Sequence, residues 1–256
     1  MLLWCVIALG APLIAPYDPQ YQQIESRLLP PSGEHLFGTD ELGRDVFSRV
    51  VYGARISIPA GLIVVMVEFV FGSLIGALAG YLGGIFDLVV MRVADVTMSF
   101  PPIVLALAIA AVLGPSLQNA IIALILVWWP EYARLIRGQV LSVKRREYVM
   151  AAQCLGVDSG RILFRHVLPN VVSASLVKAS LDMGNIILFI AALSFIGLGV
   201  VPPTAEWGAM ISSGRFKFYS WWLTAFPGLA MLSAVLALNF IGDGMRDALD
   251  PRVLDR

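Results

Sequence analysis

Long stretches without a charged residue alternate with short polar segments along this chain. Residues 1–17, 96–130, 183–205 and 218–242 contain no Asp, Glu, Lys or Arg, and residues 56–86 contain only Glu68. A helix needs about 20 apolar residues to cross the hydrocarbon layer of a membrane. The pattern therefore predicts a series of membrane-spanning helices joined by polar loops.

Six spans follow from this pattern. The stretch 96–130 is too long for one span, and Gly114-Pro115-Ser116 indicates a turn within it, so we divide it into two. The first span is short and no basic residue precedes it, and we interpret it as a membrane helix whose N-terminal beginning is missing or misassigned. The predicted spans are 1–15, 57–81, 100–114, 119–137, 171–199 and 222–242.

The composition favours the same class of protein. Hydrophobic residues make up 58% of the chain and charged residues only 14%, whereas soluble domains have about 25% charged residues. A soluble single-domain enzyme is therefore excluded, because its surface must be wetted. The 18 basic and 18 acidic residues leave no positive excess to bind phosphates, which excludes nucleic acid as a partner. We predict an all-α polytopic membrane helix bundle with about six transmembrane helices.

Basic residues in the loops orient this bundle, because cytoplasmic loops are enriched in Lys and Arg. Eleven lie on one predicted side and six on the other, where seven acidic residues accompany them. We assign the side with eleven to the cytoplasm, together with loop 138–170 and the C-terminus, and segments 16–56 and 200–220 to the outside. The eleven are Arg92, Arg134, Arg137, Lys144, Arg145, Arg146, Arg161, Arg165, Arg246, Arg252 and Arg256. Three tryptophans suit an aromatic belt at the outer interface: Trp207, Trp221 and Trp222.

The second predicted span carries a small-residue stripe and an acidic residue. Gly72, Gly76 and Gly80 recur every four residues, which lets a second helix approach closely; helix packing is the favoured interpretation and a hinge is the alternative. Glu68 lies one turn earlier, where an ionised side chain is costly unless it faces protein or water. We expect its carboxyl to be satisfied by a neighbouring helix or a partner subunit, and a role in a translocation path is the alternative.

The fifth predicted span contains an oppositely charged pair. Lys178 and Asp182 are four residues apart and therefore share one helix face. We expect them to form an ion pair near the inner membrane boundary. A direct contact with substrate, as part of a translocation path, is the alternative.

Residues for catalysis or metal binding do not cluster in the sequence. His35 and His166 fall on opposite predicted sides of the membrane, so they do not share a metal, and we predict no metal site. The chain contains neither a GxxxxGK[ST] phosphate-binding loop nor an HExxH motif. We therefore predict that it is not an enzyme and binds no cofactor. A stand-alone channel or ion-driven transporter is the rival class, and a membrane enzyme is a third.

The predicted cytoplasmic loop has the signals of two short helices. Residues 147–155 are good helix formers, and Gly156 follows as a C-cap. Asp158 or Ser159 caps a second helix, which we expect to run to Val167 and to stop at Pro169. Two helices joined by a glycine elbow form a rigid knob that points into the cytoplasm. Its small residues Ala151 and Ala152 allow close approach by another protein; the alternative is a connecting loop that folds against its own bundle.

The same loop resembles the EAA loop of binding-protein-dependent ABC importer permeases. The matching residues are Met150-Ala151-Ala152, Gly156 and Leu168-Pro169. Met150 stands in place of the usual glutamate, although Glu147 lies one turn earlier, and His166 stands in place of an isoleucine. Three further segments resemble the peptide-transporter branch of that family, in the expected order: 35–57, 193–210 and 239–252. Together they make the chain similar to the C-type permease subunit of dipeptide, oligopeptide and nickel transporters.

The resemblance implies a type I ABC importer permease fold and a set of partners. These are a homologous permease that completes a heterodimer, two ATPase subunits that bind ATP and Mg, an extracytoplasmic substrate-binding protein and the lipid bilayer. It divides the chain into residues 1–56, with the first membrane helix and an external segment, and a permease core, 57–250, with five membrane helices. Dipeptides, oligopeptides, nickel chelates and glutathione-like solutes all stay open as cargo. The residues it implies for ATPase coupling are Glu147, Ala151, Ala152, Gly156, Arg165, His166, Leu168 and Pro169.

Overall fold

The computed structural model of the protein describes residues 1–249 and is helical throughout its membrane-type segments. Within these residues the only extended pairing is an isolated bridge between Thr39 and Asp45. The predicted basic residues Arg252 and Arg256 and the last residues of segment 239–252 lie outside the described range. The helices are α1 Leu2–Leu9, α2 Ala11–Ile14, α3 Val46–Leu82, α4 Gly84–Met98, α5 Pro102–Leu113, α6 Leu117–Val143, α7 Glu147–Cys154, α8 Ser159–Ile162, α9 Leu168–Ile196, α10 Trp207–Gly214 and α11 Trp222–Leu249.

Four helices of the described chain are long and apolar enough to cross a membrane, namely α3, α6, α9 and α11. A fifth span is formed if α4 and α5 are taken together, although they meet at a bend of 93°. The first predicted span, 1–15, consists of the eight-residue α1 and the four-residue α2, which is shorter than a bilayer requires. The all-α membrane bundle predicted from the sequence is confirmed.

Two helices extend beyond the spans predicted for them, across charged residues that the sequence analysis placed in loops. Residues 46–56, assigned to the external segment, are the first turns of α3. Arg49 is buried there, and its guanidinium donates to the carbonyl oxygens of Pro19 and Pro203 at 2.9 and 3.2 Å. Likewise α6 continues through Arg137 to Val143, so the first residues of the predicted cytoplasmic loop 138–170 are helical.

Two compact units divide the described chain. The first comprises Met1–Ile63, Leu107–Ala123 and Met183–Phe240. The second comprises Val64–Ala106, Leu124–Asp182 and the described residues from Ile241 onward.

The core of the first unit is organised around Trp207, which is fully buried. Its indole N–H donates to the Val50 carbonyl oxygen at 3.0 Å. Gly53 allows this contact, because a Cβ there would lie 2.7 Å from Trp207 Cδ1. Glu206 caps α10 by accepting from the backbone N–H groups of Gly208 and Ala209, each at 2.9 Å. A buried acid is thus stabilised by the N-terminus of the helix that positions Trp207.

The core of the second unit joins the predicted cytoplasmic loop to membrane-type helices. One continuous apolar cluster includes residues from α3, α6, α7, α8 and the start of α9. Burial of such a cluster fixes the position of the loop relative to these helices. Its fully or almost fully buried members are Ala77, Tyr81, Ile136, Val140, Val143, Val149, Ile162, Leu163, Val167 and Val171.

Candidate functional site

The predicted cytoplasmic loop, which belongs to the second unit, is a helix pair with a glycine elbow. The predicted first helix is confirmed as α7, and Gly156 follows with φ +74°, a left-handed conformation that favours glycine. Asp158 then caps α8, because its carboxylate accepts from the Arg161 N–H at 3.2 Å. The glycine elbow and the Asp158 cap lie within three residues and leave the pair little conformational freedom.

The helix pair does not stop at Pro169, and that prediction is wrong. Residues 163–167 form a π-helical turn, in which the Leu168 N–H bonds to the Leu163 carbonyl. Since α9 begins at Leu168, Pro169 lies in its first turn, where a missing N–H is tolerated. The chain is therefore helical without a break from Ser159 to Ile196.

The helix pair has one face packed on its own unit and one face exposed. Val149 and Ile162 are buried against the apolar cluster, and Ala152 packs partly against it as well. Ala151 is exposed, so the two alanines do not form one docking face. Large apolar side chains are exposed on the pair, with Leu155 at 83% and Phe164 at 56% exposure. Glu147 and Arg165 are exposed and His166 is half-buried, with its carbonyl accepting from the Asn170 amide at 2.7 Å.

The glycine stripe of α3 lies against α6. A Cβ on Gly72 would be 2.6 Å from the Cβ of Tyr132. A Cβ on Gly76 would overlap the backbone of Ala133, and one on Gly80 would lie 3.0 Å from the Arg137 carbonyl. The backbones of the two helices therefore approach as closely as glycine permits, which is the packing that small residues at four-residue spacing favour.

Polar side chains from α3, α6 and α9 lie near one another within the second unit. We call this group the buried polar cluster. Its members are Glu68, Glu131, Tyr132, Lys178 and Asp182. The predicted ion pair is present, with Lys178 Nζ 2.8 Å from Asp182 Oδ2. Lys178 also donates to Glu131 Oε2 at 2.7 Å, and the Tyr132 hydroxyl donates to Asp182 Oδ2 at 2.8 Å. The Tyr132 ring lies beneath the ammonium, 5.1 Å from Nζ to its centroid, a cation–π contact.

Glu68 is the outlier of the buried polar cluster. Its side chain is completely buried, and neither carboxyl oxygen has a hydrogen-bond partner among the described residues. The expectation that a neighbouring helix satisfies it is therefore not met within residues 1–249. Glu68 lies on α3 one helical turn before Gly72, the position at which α3 contacts Tyr132 of the cluster. Three carboxyl groups and one ammonium thus belong to this part of the second unit, and two of the carboxyl groups bond to the ammonium. Unbalanced charge inside membrane-type helices is costly.

Sequence reasoning missed Glu131 and Tyr132. Glu131 falls inside the predicted span 119–137, and an acidic residue in a span is itself a signal of function. Arg134 and Arg137 hide this signal in the sequence, because they follow Glu131 and suggest a solvated helix end. In the structure both arginines pair elsewhere, Arg137 with Asp87 at 2.5 Å and Arg134 with Asp95. Glu131 is consequently free to pair with Lys178.

The predicted external segment, part of which carries the family resemblance, is a folded network of the first unit. Asp40 pairs with Arg44 at 2.7 Å, and His35 Nδ1 lies 2.9 Å from Asp45. Lys217 bonds to Glu41 at 2.7 Å, which joins the two segments predicted to lie on the same side. The predicted aromatic belt is wrong for two of its members, since Trp207 and Trp222 are buried. The aromatic residues that are exposed in this region are Phe216, Phe218, Tyr219 and Trp221.

Comparison with known proteins gives the family. Residues 72–255 match the model of the binding-protein-dependent transport system inner membrane component. The chain is 47% identical to the probable D,D-dipeptide transport system permease protein of Escherichia coli, over 98% of this chain and 85% of that protein. It is 46% identical to the dipeptide transport system permease protein of Alkalihalophilus pseudofirmus (97% and 82% covered). It is 42% identical to the nickel transport system permease protein of Escherichia coli (98% and 91% covered).

The fold agrees with this result. The chain resembles a solved structure of the MetNI methionine ABC transporter in inward-facing conformation, with a TM-score of 0.63. The match covers 79% of this chain and 96% of that one, at 19% identity, and therefore speaks for the fold alone. The chain belongs to the family of binding-protein-dependent ABC importer permeases. It is a multi-pass membrane protein and a transport subunit rather than an enzyme, and the family works with ATPase and substrate-binding partners.

Proposed function

We propose that the chain forms, with a homologous permease subunit, the translocation path of an importer for di- or oligopeptides or a related small solute such as a nickel chelate. Relatives named for dipeptide and for nickel transport support both kinds of cargo. ATP and Mg bind to two separate ATPase subunits, and a substrate-binding protein delivers cargo from outside. The C-terminus and the α7–α8 pair face the cytoplasm.

One observation carries the coupling role: the α7–α8 pair packs one face against its own unit and exposes the other face. Val149 and Ile162 fix it to the helices of its own unit, while Leu155 and Phe164 present apolar surface outward. Exposed apolar patches of this kind mark interaction surfaces. An ATPase that grips the exposed face moves the whole pair, because close-packed interiors transmit displacement.

The displacement reaches the buried polar cluster through α9. This helix continues directly from the π-helical turn, and Lys178 lies ten residues beyond its start. At 1.5 Å per residue this corresponds to about 15 Å along the axis. Lys178 bonds to Glu131 on α6, so a shift of α9 against α6 changes the geometry of the cluster. The cluster, including Glu68 and Asp182, lines the translocation path and rearranges as the path opens alternately to either side.

An ion-driven transporter is the second candidate, because it would use Glu68 and the Lys178–Asp182 pair as coupling groups. It gives no purpose to the exposed face of the α7–α8 pair. The family membership favours the ATP-driven importer.

Co-purification tests the proposed function. A tagged chain, expressed with its neighbouring subunits in membranes, should retain two ATPase subunits per permease pair. Ala151→Trp places a large side chain on the exposed face of α7 and should release the ATPases. Gly33→Trp is the matched control, because a side chain there meets open space in the outer segment. Equal ATPase retention in both variants would contradict the assigned docking face.

A further inference from the structure

The buried polar cluster has more acceptors than its own cation can use. Glu68, Glu131 and Asp182 supply three carboxyl groups, and Lys178 supplies one ammonium, which bonds to only two of them. The third, on Glu68, is fully buried without a partner among the described residues. An unsatisfied buried polar group is costly, so a ligand group that complements the Glu68 carboxyl would stabilise the site.

The chemistry of the site points to an organic ammonium rather than a metal ion. No group of His, Cys, Asp and Glu side chains in residues 1–249 has the geometry of a metal site. The structure already holds one primary ammonium here, that of Lys178, between Glu131 Oε2, Asp182 Oδ2 and the Tyr132 ring. Two carboxylates and an aromatic face are the partners that recognise alkylammonium groups.

The Lys178 side of the cluster is partly exposed, whereas Glu68 is completely buried. The side chains of Lys178 and Glu131 are 24% and 35% exposed, and that of Asp182 is 16% exposed. A flexible lysine stem allows Nζ to leave without moving the backbone. A ligand that displaces Lys178 meets the carboxylates of Glu131 and Asp182, and Glu68 lies buried in the same unit.

We infer that the buried polar cluster binds the terminal ammonium of the cargo, and that Lys178 is a tethered substitute which occupies the site when cargo is absent. The inference rests on the proposed function for two statements: that the cluster lines the translocation path, and that the cargo is a peptide with a free amino group. It adds Glu131 and Tyr132 to the path and assigns to Glu68 the role of the acceptor reserved for cargo.

Protection from a hydrophobic carbodiimide tests this binding directly. Dicyclohexylcarbodiimide modifies carboxyl groups in apolar surroundings, and mass spectrometry reads the adducts and the amide cross-links to Lys178. The sample is the purified complex of both permeases and both ATPases, without the binding protein, so that selection of cargo by that protein plays no part. Glu206 is the internal control, since it is also buried but belongs to the first unit.

Saturating alanyl-alanine should lower the modification of Glu68, Glu131 and Asp182 to less than about a third of its extent without peptide. This is the decrease expected if the peptide occupies more than about two-thirds of the sites. N-acetyl-alanyl-alanine, which lacks the ammonium, should give no protection, and Glu206 should respond to neither. Equal protection by both peptides, or no protection by either, would overturn the inference. Protection by sodium chloride but not choline chloride would assign the site to an alkali ion instead. Unreactive carboxyls in the peptide-free complex would contradict the partial exposure of the site.

Lys178 variants test the substitution. Lys178→Met removes the competitor and should lower the half-protecting concentration of alanyl-alanine about tenfold, if the site is vacant about one-tenth of the time in the wild type. Lys178→Arg retains a cation and should stay near the wild-type value. Unchanged or weaker protection in Lys178→Met would overturn the substitute role. If the ATPases are present in the same preparation but protection fails, only this inference falls; if they are absent, the proposed function falls.

Discussion

The glycine elbow of the α7–α8 pair offers the sharpest mutational test of coupling. Gly156 has φ +74°, and no atom lies within 4 Å of a Cβ built on it. A side chain at this position therefore causes no clash, and its whole effect is backbone strain. The left-handed conformation costs a non-glycine residue about 1–2 kcal/mol, and a β-branched residue more.

Gly156→Val should reduce the population of the native elbow by at least a factor of about 5–30, the equivalent of 1–2 kcal/mol. The pair cannot absorb the strain by rotating, because Val149 and Ile162 on either side of the elbow are buried. Gly156→Asn should stay near the wild type, since asparagine visits the left-handed region. Gly138→Val is the control, because Gly138 lies in α6 without neighbours within 4 Å and without a positive φ.

The assay measures the molar ratio of ATPase subunits to this chain in purified complexes, together with ATP hydrolysis stimulated by cargo-loaded binding protein. Gly156→Val should lower both at unchanged abundance of the chain in the membrane. Wild-type values for Gly156→Val would refute the role of the elbow. Equal losses in Gly138→Val would mean that the assay reports helix stability and not the elbow.

Three further predictions concern the two units. Glu68→Leu should raise the melting temperature of the purified complex, because it removes a buried carboxyl that has no hydrogen-bond partner and costs about 1–3 kcal/mol. The same variant should abolish transport, whereas Glu68→Gln should retain part of the transport activity. Gly76→Leu should destabilise the α3–α6 packing by about 1–3 kcal/mol, while Gly138→Leu should not. Trp207→Ala should cost about 3–5 kcal/mol, whereas Trp221→Ala, on the surface, should stay within about 0.5 kcal/mol. Unimpaired transport in Glu68→Leu would contradict the role of Glu68 in the path. Equal destabilisation by Gly76→Leu and Gly138→Leu, or by Trp207→Ala and Trp221→Ala, would contradict the packing assigned to Gly76 or to Trp207.

Features that depend on one stretch of chain were predictable from the sequence. The Lys178–Asp182 pair needs only a helix between its members, and the elbow at Gly156 needs only the local propensities on both sides. The glycine stripe of α3 predicted a close helix partner, although nothing in its spacing said that the partner is α6. These signals are local, and their physical causes act within a few residues.

Features that depend on packing were not predictable. Glu131 joins the buried polar cluster because Arg134 and Arg137, its neighbours in sequence, are held by acids on α4. Arg49 is helical and buried because the carbonyls of Pro19 and Pro203 accept its hydrogen bonds from distant loops. Charge alone therefore misplaced helix ends, since a charged side chain can be neutralised by partners far along the chain.

The central claim is that the α7–α8 pair contacts the ATPase and transmits its movement. Cys154 is the last residue of α7 and is exposed, so it provides a native attachment point for a benzophenone photo-cross-linker. In a Cys5→Ser background, which removes the other cysteine of the chain, irradiation of membranes should join this chain to an ATPase subunit, and nucleotide binding should change the yield. Cross-links only within the chain or to lipid, with ATPases present in the same membranes, would contradict the claim.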